Sequence, residues 1–150
     1  MTLWRISNYI DLRGEGGLRA SGRWHTRGRR VIYCAGTPAA ALLEILVHLE
    51  IEVEDLPRRY HLLKLDVPDA LAVEHILLAE LPKNWIERPD VTRALGDAWL
   101  AAGRTALLGV PSALAPETSN VLINPMHREA ARIKISQVSE HAIDPRLMKS

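Results

Sequence analysis

The sequence predicts an α+β fold, and three observations predict it. Short runs rich in β-branched and apolar residues recur in both halves of the chain, as strands require. Two other runs, one from Thr37-Pro38 and one from Pro89, carry helix-start signals followed by helical spacing. The two kinds of element are interspersed without the regular βαβ alternation of a doubly wound parallel sheet. At 150 residues, the chain has length for one domain, 1–150, and none for a second core. A chain of this size buries roughly 70% of its unfolded surface, so its core needs no disulfide or metal staple.

Taken in order, Leu3-Trp4-Arg5-Ile6 reads as a first strand. From Asp11 to Arg30 the chain is rich in Gly and Arg with little hydrophobic period, a long surface loop with at most one short strand. Val31 to Ala35 is a buried strand, β-branched and aromatic, ended by Gly36. Thr37 can cap a helix and Pro38 suits its first position, so a helix runs to about Glu50. Ala39, Leu42, Leu43, Leu46 and Val47 form one stripe, and Ala41, Ile45 and Leu49 make the opposite side apolar too, which predicts burial on more than one face. Tyr60 to Val67 is a strand closed by Pro68. Pro89 to Ala102 is a second helix, with Val91, Leu95, Ala98, Trp99 and Ala102 in register and Gly103 as its stop. Three more strands follow at Thr105–Val110, Asn120–Asn124 and Arg132–Ser136, the last two separated by a helical turn near His127 to Ala131.

Composition excludes several classes. Lys+Arg 19 against Asp+Glu 18 gives a net charge of +1, far from the footprint of a dedicated nucleic-acid binder. The lone Cys34 allows no internal disulfide and favours a reducing, cytoplasmic setting. The stretch from Val31 to Leu49 is broken by Gly36, Pro38, Glu44 and His48, so no membrane span is expected. Gly14-Glu15-Gly16-Gly17-Leu18-Arg19 has Arg19 where a dinucleotide fingerprint needs its third glycine. There is no phosphate loop and no GxSxG elbow. The six histidines show no metal-ligand spacing, and a metal site is not expected.

Four features carry chemistry. Glu44 sits among apolar residues in mid-helix, where burying a carboxylate costs several kcal/mol unless it is paired. It lies either on a narrow solvent-facing strip with His48 or at the floor of a cleft. Arg13, Arg19, Arg23, Arg27, Arg29 and Arg30 crowd a glycine-rich segment, either as a solvated basic loop or as phosphate-binding forks. Tyr33, in an aliphatic strand, is either plain core or a ring that stacks on a planar ligand group. Ser112 ends a strand, closing a turn or pointing into a site at the sheet's edge. Trp24, Trp85 and Trp99 read as packing residues.

Together the segments Leu3 to Ser7, Gly17 to His25, Val31 to Ala35 and Ala41 to Leu49 resemble the RES domain family, named for characteristic Arg, Glu and Ser residues. Val110-Pro111-Ser112, Asn120 to Pro125 and Asp144 to Leu147 extend the resemblance over nearly the whole chain. It implies an ADP-ribosyltransferase-like fold, a split mixed β-core with flanking helices and an NAD cleft. It implies a bacterial toxin, encoded beside an Xre-like helix-turn-helix antitoxin, that depletes NAD by cleaving its nicotinamide–ribose bond with water or phosphate as acceptor. One branch of the family transfers ADP-ribose to a protein instead. Carried over residue by residue, Arg5 and Arg23 match the family's arginines, Tyr33 its strand tyrosine, Glu44 its glutamate and Ser112 its serine. The implied roles are catalysis for Glu44, Arg5 and Tyr33, and NAD binding for Arg5, Arg23, Tyr33 and Ser112. NAD is then substrate, no metal takes part, and a homodimer within a toxin–antitoxin complex is expected. Two readings of other classes compete: a nucleic-acid-binding module or ribonuclease toxin working through the arginine loop, and a non-catalytic partner of an antitoxin. Near-neutral charge and the lack of a nuclease-like His/Glu pair argue against the ribonuclease.

Overall fold

The computed structural model describes residues 1–48 and 58–148. Its strands are β1 (Thr2–Ile6), β2 (Ile32–Ala35), β3 (Arg59–Asp66), β4 (Val73–His75), β5 (Leu107–Pro111), β6 (Ser119–Ile123) and β7 (Lys134–Ala142). Its α-helices are α1 (Gly16–Arg19), α2 (Pro38–His48) and α3 (Pro89–Ala102). One seven-stranded sheet runs in the order β4-β5-β6-β2-β1-β3-β7. Only β4 and β5 pair in parallel, so the sheet is mixed, as an α+β fold allows.

Both faces of the sheet are covered, and strand alternation decides which residue serves which face. Leu3, Ile32, Cys34, Leu63, Leu65, Leu107 and Ile123 pack into one core. Leu108, Val110 and Leu122 pack on the other face with Trp24, Trp85 and Trp99, and Tyr33 lies against that second cluster.

The sheet is nearly divided in its middle. β1 pairs with β3 over five residues but meets β2 at a single pair, Trp4 with Ala35. Past that pair the two strands fork. α2 packs over both prongs. Its start follows the expectation: the Thr37 hydroxyl accepts the Ala40 N–H at 3.1 Å, with Pro38 next in the chain. The expected end near Glu50 lies outside the described residues. Burial on several faces does not hold, because Leu43 and Val47 are 50% and 53% exposed.

α3 also differs from its expected packing. Its buried residues are Thr92, Gly96 and Trp99, while Leu95, Ala98 and Ala102 of the predicted register face solvent. A Cβ on Gly96 would stand 1.6 Å from the Trp24 carbonyl oxygen, so backbone meets backbone there. Gly103 stops the helix as predicted, in the left-handed region at φ 61°, with its N–H bonded to the Trp99 carbonyl.

Asp11–Arg30 contains the short helix α1 in place of a strand, and it is not all surface: Trp24 and His25 are buried. β7 continues six residues past Ser136, to Ala142. Between Lys64 and Leu65 of β3 the register shifts, so Leu65 faces Ile135 while Lys64 faces Gln137. Ser136 is the extra residue of a bulge, and it puts Ile135 and Val138 opposite Leu65 and Leu63 of the same core. A spacing of three where a strand needs two hides the strand's period.

Candidate active site

The fork between β1 and β2 opens into a cleft of about 400 Å³. Trp4, Arg5 and Ile6 of β1, Tyr33 to Ala35 of β2, and Ala41, Glu44 and Ile45 of α2 line it. Ser7 to Tyr9, the Gly16–Gly22 part of the loop, His25 and Val31 add to its wall. A smaller hollow of about 60 Å³ adjoins it, lined by Arg23, Trp24, Val110 and Ser112 among others. Tyr33, Glu44 and Asn120 border both.

Glu44 is partly buried on this shared wall. Its Oε1 accepts the Ser112 hydroxyl at 2.6 Å and the Asn120 amide at 2.8 Å. Ser112 is 3% exposed, and its oxygen also accepts the Leu114 and Ala115 N–H groups at 3.1 and 3.3 Å. Those two bonds orient the hydroxyl proton toward the carboxylate. Asn120 is a binding-wall residue that sequence reasoning missed. Its signal was a polar side chain on the same strand face as buried Leu122.

Arg5 occupies the fork itself. Its Nη1 donates to the Tyr33 carbonyl at 3.2 Å and its Nη2 to the Ser7 hydroxyl at 3.3 Å. A side chain thus bridges two strands whose backbones have parted. Among the described residues, neither the buried Nε nor the buried Asn120 Oδ1 has a hydrogen-bond partner. Burial lowers the Arg5 guanidinium from its usual value, against weaker opposition from Cys34 and Asp11. Cys34 is buried, and burial pushes its thiol up to about 12.

Tyr33 is held on the loop side. Its hydroxyl oxygen accepts the Trp24 N–H at 3.1 Å and lies 2.7 Å from His25 Nδ1. Burial raises its phenol well above the usual range, so it stays protonated. α3 pins this part of the loop from behind. Thr92 donates its hydroxyl to the Arg23 carbonyl, Arg93 Nε donates to the Gly22 carbonyl at 2.8 Å, and Asp97 accepts the Thr26 N–H and hydroxyl at 2.9 and 2.6 Å.

The structure brings Glu44, Ser112 and Tyr33 together around the smaller hollow. It separates the two arginines: Arg5 borders the larger cleft, and Arg23 the smaller hollow, where its Nη1 donates to the Ile86 carbonyl at 2.8 Å. The other loop arginines do not converge. Arg29 reaches Asp97, Arg13 reaches Glu15, Arg30 donates to the Arg13 carbonyl, and Arg19 lies over the Tyr9 ring at 5.7 Å. Among the described residues, no three His, Cys, Asp or Glu side chains gather to hold a metal ion. No described helix is long and apolar enough to cross a membrane.

The family described as the RES domain matches residues 2–145. A Pseudomonas putida protein named Toxin Res is 49% identical over 147 residues, spanning 98% of this chain and 99% of that protein. A Sphingobium protein named Prs ADP-ribosylating toxin is 36% identical over 158 residues, spanning 99% and 97%. Among solved structures, the Mycobacterium tuberculosis MbcT–MbcA toxin–antitoxin complex contains a chain of similar fold. The TM-score is 0.75 at 21% identity, over 97% of this chain and 85% of that one. The α+β class with a mixed sheet is the one observed, and the chain in that complex shares the fold.

Proposed function

This chain belongs to the RES domain family, and from that premise we propose that it is the toxin of a toxin–antitoxin pair, an enzyme that cleaves the nicotinamide–ribose bond of NAD. The observation that carries the reading is Glu44: a carboxylate fixed by Ser112 and Asn120 on the wall between two hollows. Cleavage of an N-glycosidic bond builds positive charge on the ribose. A carboxylate already oriented by two donors stabilises that charge without reorganising when it develops. Nicotinamide leaves as a neutral molecule, so no second carboxylate is needed as general acid.

In this reading the Tyr33 ring orients the departing nicotinamide. Arg5 at the larger cleft and Arg23 at the smaller hollow attract the pyrophosphate through their positive charge. Ser112 acts on substrate binding and, through its bond to Oε1, on the position of Glu44. Water or phosphate accepts the ADP-ribosyl group. A second reading, transfer of ADP-ribose to a protein, is favoured by the name of the Sphingobium relative. The partner in either case is an Xre-like helix-turn-helix antitoxin in the cytoplasm, with the toxin as a homodimer. An antitoxin is supported by the toxin names of the relatives and by the toxin–antitoxin complex of similar fold.

The test is NAD consumption by the purified protein and by Glu44→Gln, with and without phosphate. Steady nicotinamide release by the wild type alone, lost in the variant, is the expected result. Release that begins only when a lysate fraction is added, with label on a protein, moves the assignment to transfer. Equal rates in wild type and variant overturn both.

A further inference from the structure

His25 is a buried polar residue that the chemistry above leaves unused. It is 2% exposed, yet every polar atom of its ring is engaged. Nε2 lies 3.2 Å from the Gly17 carbonyl, which can only accept, and this assigns the ring proton to Nε2. Nδ1 is then a lone pair. It accepts the Gly22 N–H at 3.2 Å and faces the Tyr33 hydroxyl at 2.7 Å. Because that hydroxyl oxygen already accepts the Trp24 N–H, its own proton points to Nδ1. The Gly22 N–H is shared between Nδ1 and the His25 carbonyl at 3.1 Å, so the Tyr33 hydroxyl is the donor that depends on Nδ1. Gly22 closes the arrangement: a Cβ there would stand 2.4 Å from Tyr33 Oη and 3.0 Å from His25 Nδ1.

We infer that His25, as the neutral Nε2–H tautomer, is the positioning residue for Tyr33, fixing the ring's place in the cleft by accepting its hydroxyl proton. The inference rests on the reading that Tyr33 orients the leaving group. Protonation of Nδ1 would set a donor against the Gly22 N–H and remove the acceptor of the Tyr33 hydroxyl proton, so the bond that fixes the phenol would be lost in its present sense. The charged groups acting on the pair are Asp97 and Arg93 of α3, with Arg23 of the loop acting on Tyr33. Burial outweighs the Gly17 and Ala20 carbonyls and Asp97, which favour the charged ring, and holds His25 below its usual value, so the neutral form prevails at neutral pH.

The test compares His25→Asn, whose Oδ1 stands near the place of Nδ1, with His25→Gln, whose polar end stands near Nε2. In NAD-consumption assays over about pH 5 to 8, His25→Asn keeps kcat within about threefold of wild type and loses the acid limb of the profile. His25→Gln lowers kcat about tenfold or more, because a misplaced ring is costly, with little change in KM. Equal kcat in the two variants, or an acid limb that persists in His25→Asn, overturns the inference. Nitrogen NMR of the wild type and Tyr33→Phe decides the bond without any activity. The expected spectrum is that of Nε2–H, with a His25 midpoint that rises once the phenol no longer donates to Nδ1; an Nδ1–H spectrum or an unmoved midpoint overturns it. Wild type that neither consumes NAD nor labels a protein sinks the proposed function, while the spectra still judge the His25–Tyr33 pair.

Discussion

α2 lines the cleft, α3 holds the loop that walls it, and the two are built on opposite principles. α2 is apolar nearly all round, yet Leu43 and Val47 reach solvent, and its one charged residue, Glu44, faces the hollows. α3 has the cleaner amphipathic pattern, yet it docks through Thr92 and Gly96 and sends Arg93 and Asp97 to the loop. One helix presents a carboxylate to the hollows; the other holds the loop that walls them. Apolar content does not tell which surface of a helix is occupied, because a glycine or a threonine hydroxyl can bring backbones closer than a leucine can.

The sharpest way to separate the two roles is Glu44→Gln. Turnover of NAD should fall at least about a hundredfold, on the scale of losing a preorganised electrostatic partner, while the melting temperature stays close to wild type. Gly96→Val should do the reverse in kind. Its side chain collides with the Trp24 carbonyl, costing about 3 kcal/mol or more in denaturant unfolding. Thr92→Val, which keeps shape and deletes the bond to the Arg23 carbonyl, should cost ~1–3 kcal/mol by the same measurement. An α3 that tolerated both changes would have to be docked by its apolar stripe after all.

A smaller effect should appear in the pH dependence of stability. His25 is held below its ordinary value in the folded chain, so the unfolded chain binds the proton more readily. Its contribution is complete above the unfolded pKa of about 6.5 and is lost as pH falls below it. Melting temperature measured against pH should show this acid loss in the wild type and less of it in His25→Asn. Smallest of all, Leu43→Ser and Val47→Ser should move stability by no more than about 0.5 kcal/mol each, since both side chains are half exposed.

Much of this was legible in the residues. The capped start of α2, the glycine stop of α3 and the strands around Tyr33 and Leu122 all follow from local chemistry. Glu44 stood out because a carboxylate among leucines needs a partner, and the partners are Ser112 and Asn120. Asn120 and His25 stayed hidden for a different reason. Each is polar in an apolar setting, but only the long-range pairing of β2 with β6, and the return of the loop onto Tyr33, shows what it touches. β4 is three residues long and β7 is broken by a bulge, so neither offers a period to read. α3 misled because Gly96 carries no hydrophobic weight in any pattern and yet sets the distance to Trp24.

Cys34 has one practical consequence. A thiol packed into the core with Leu3, Ile32 and Leu63, its ionisation pushed up to about 12, reacts with an alkylating reagent only slowly in the folded chain. As the chain's single cysteine, it makes the native protein its own clock: the rate at which a maleimide is consumed measures how often the central strands breathe.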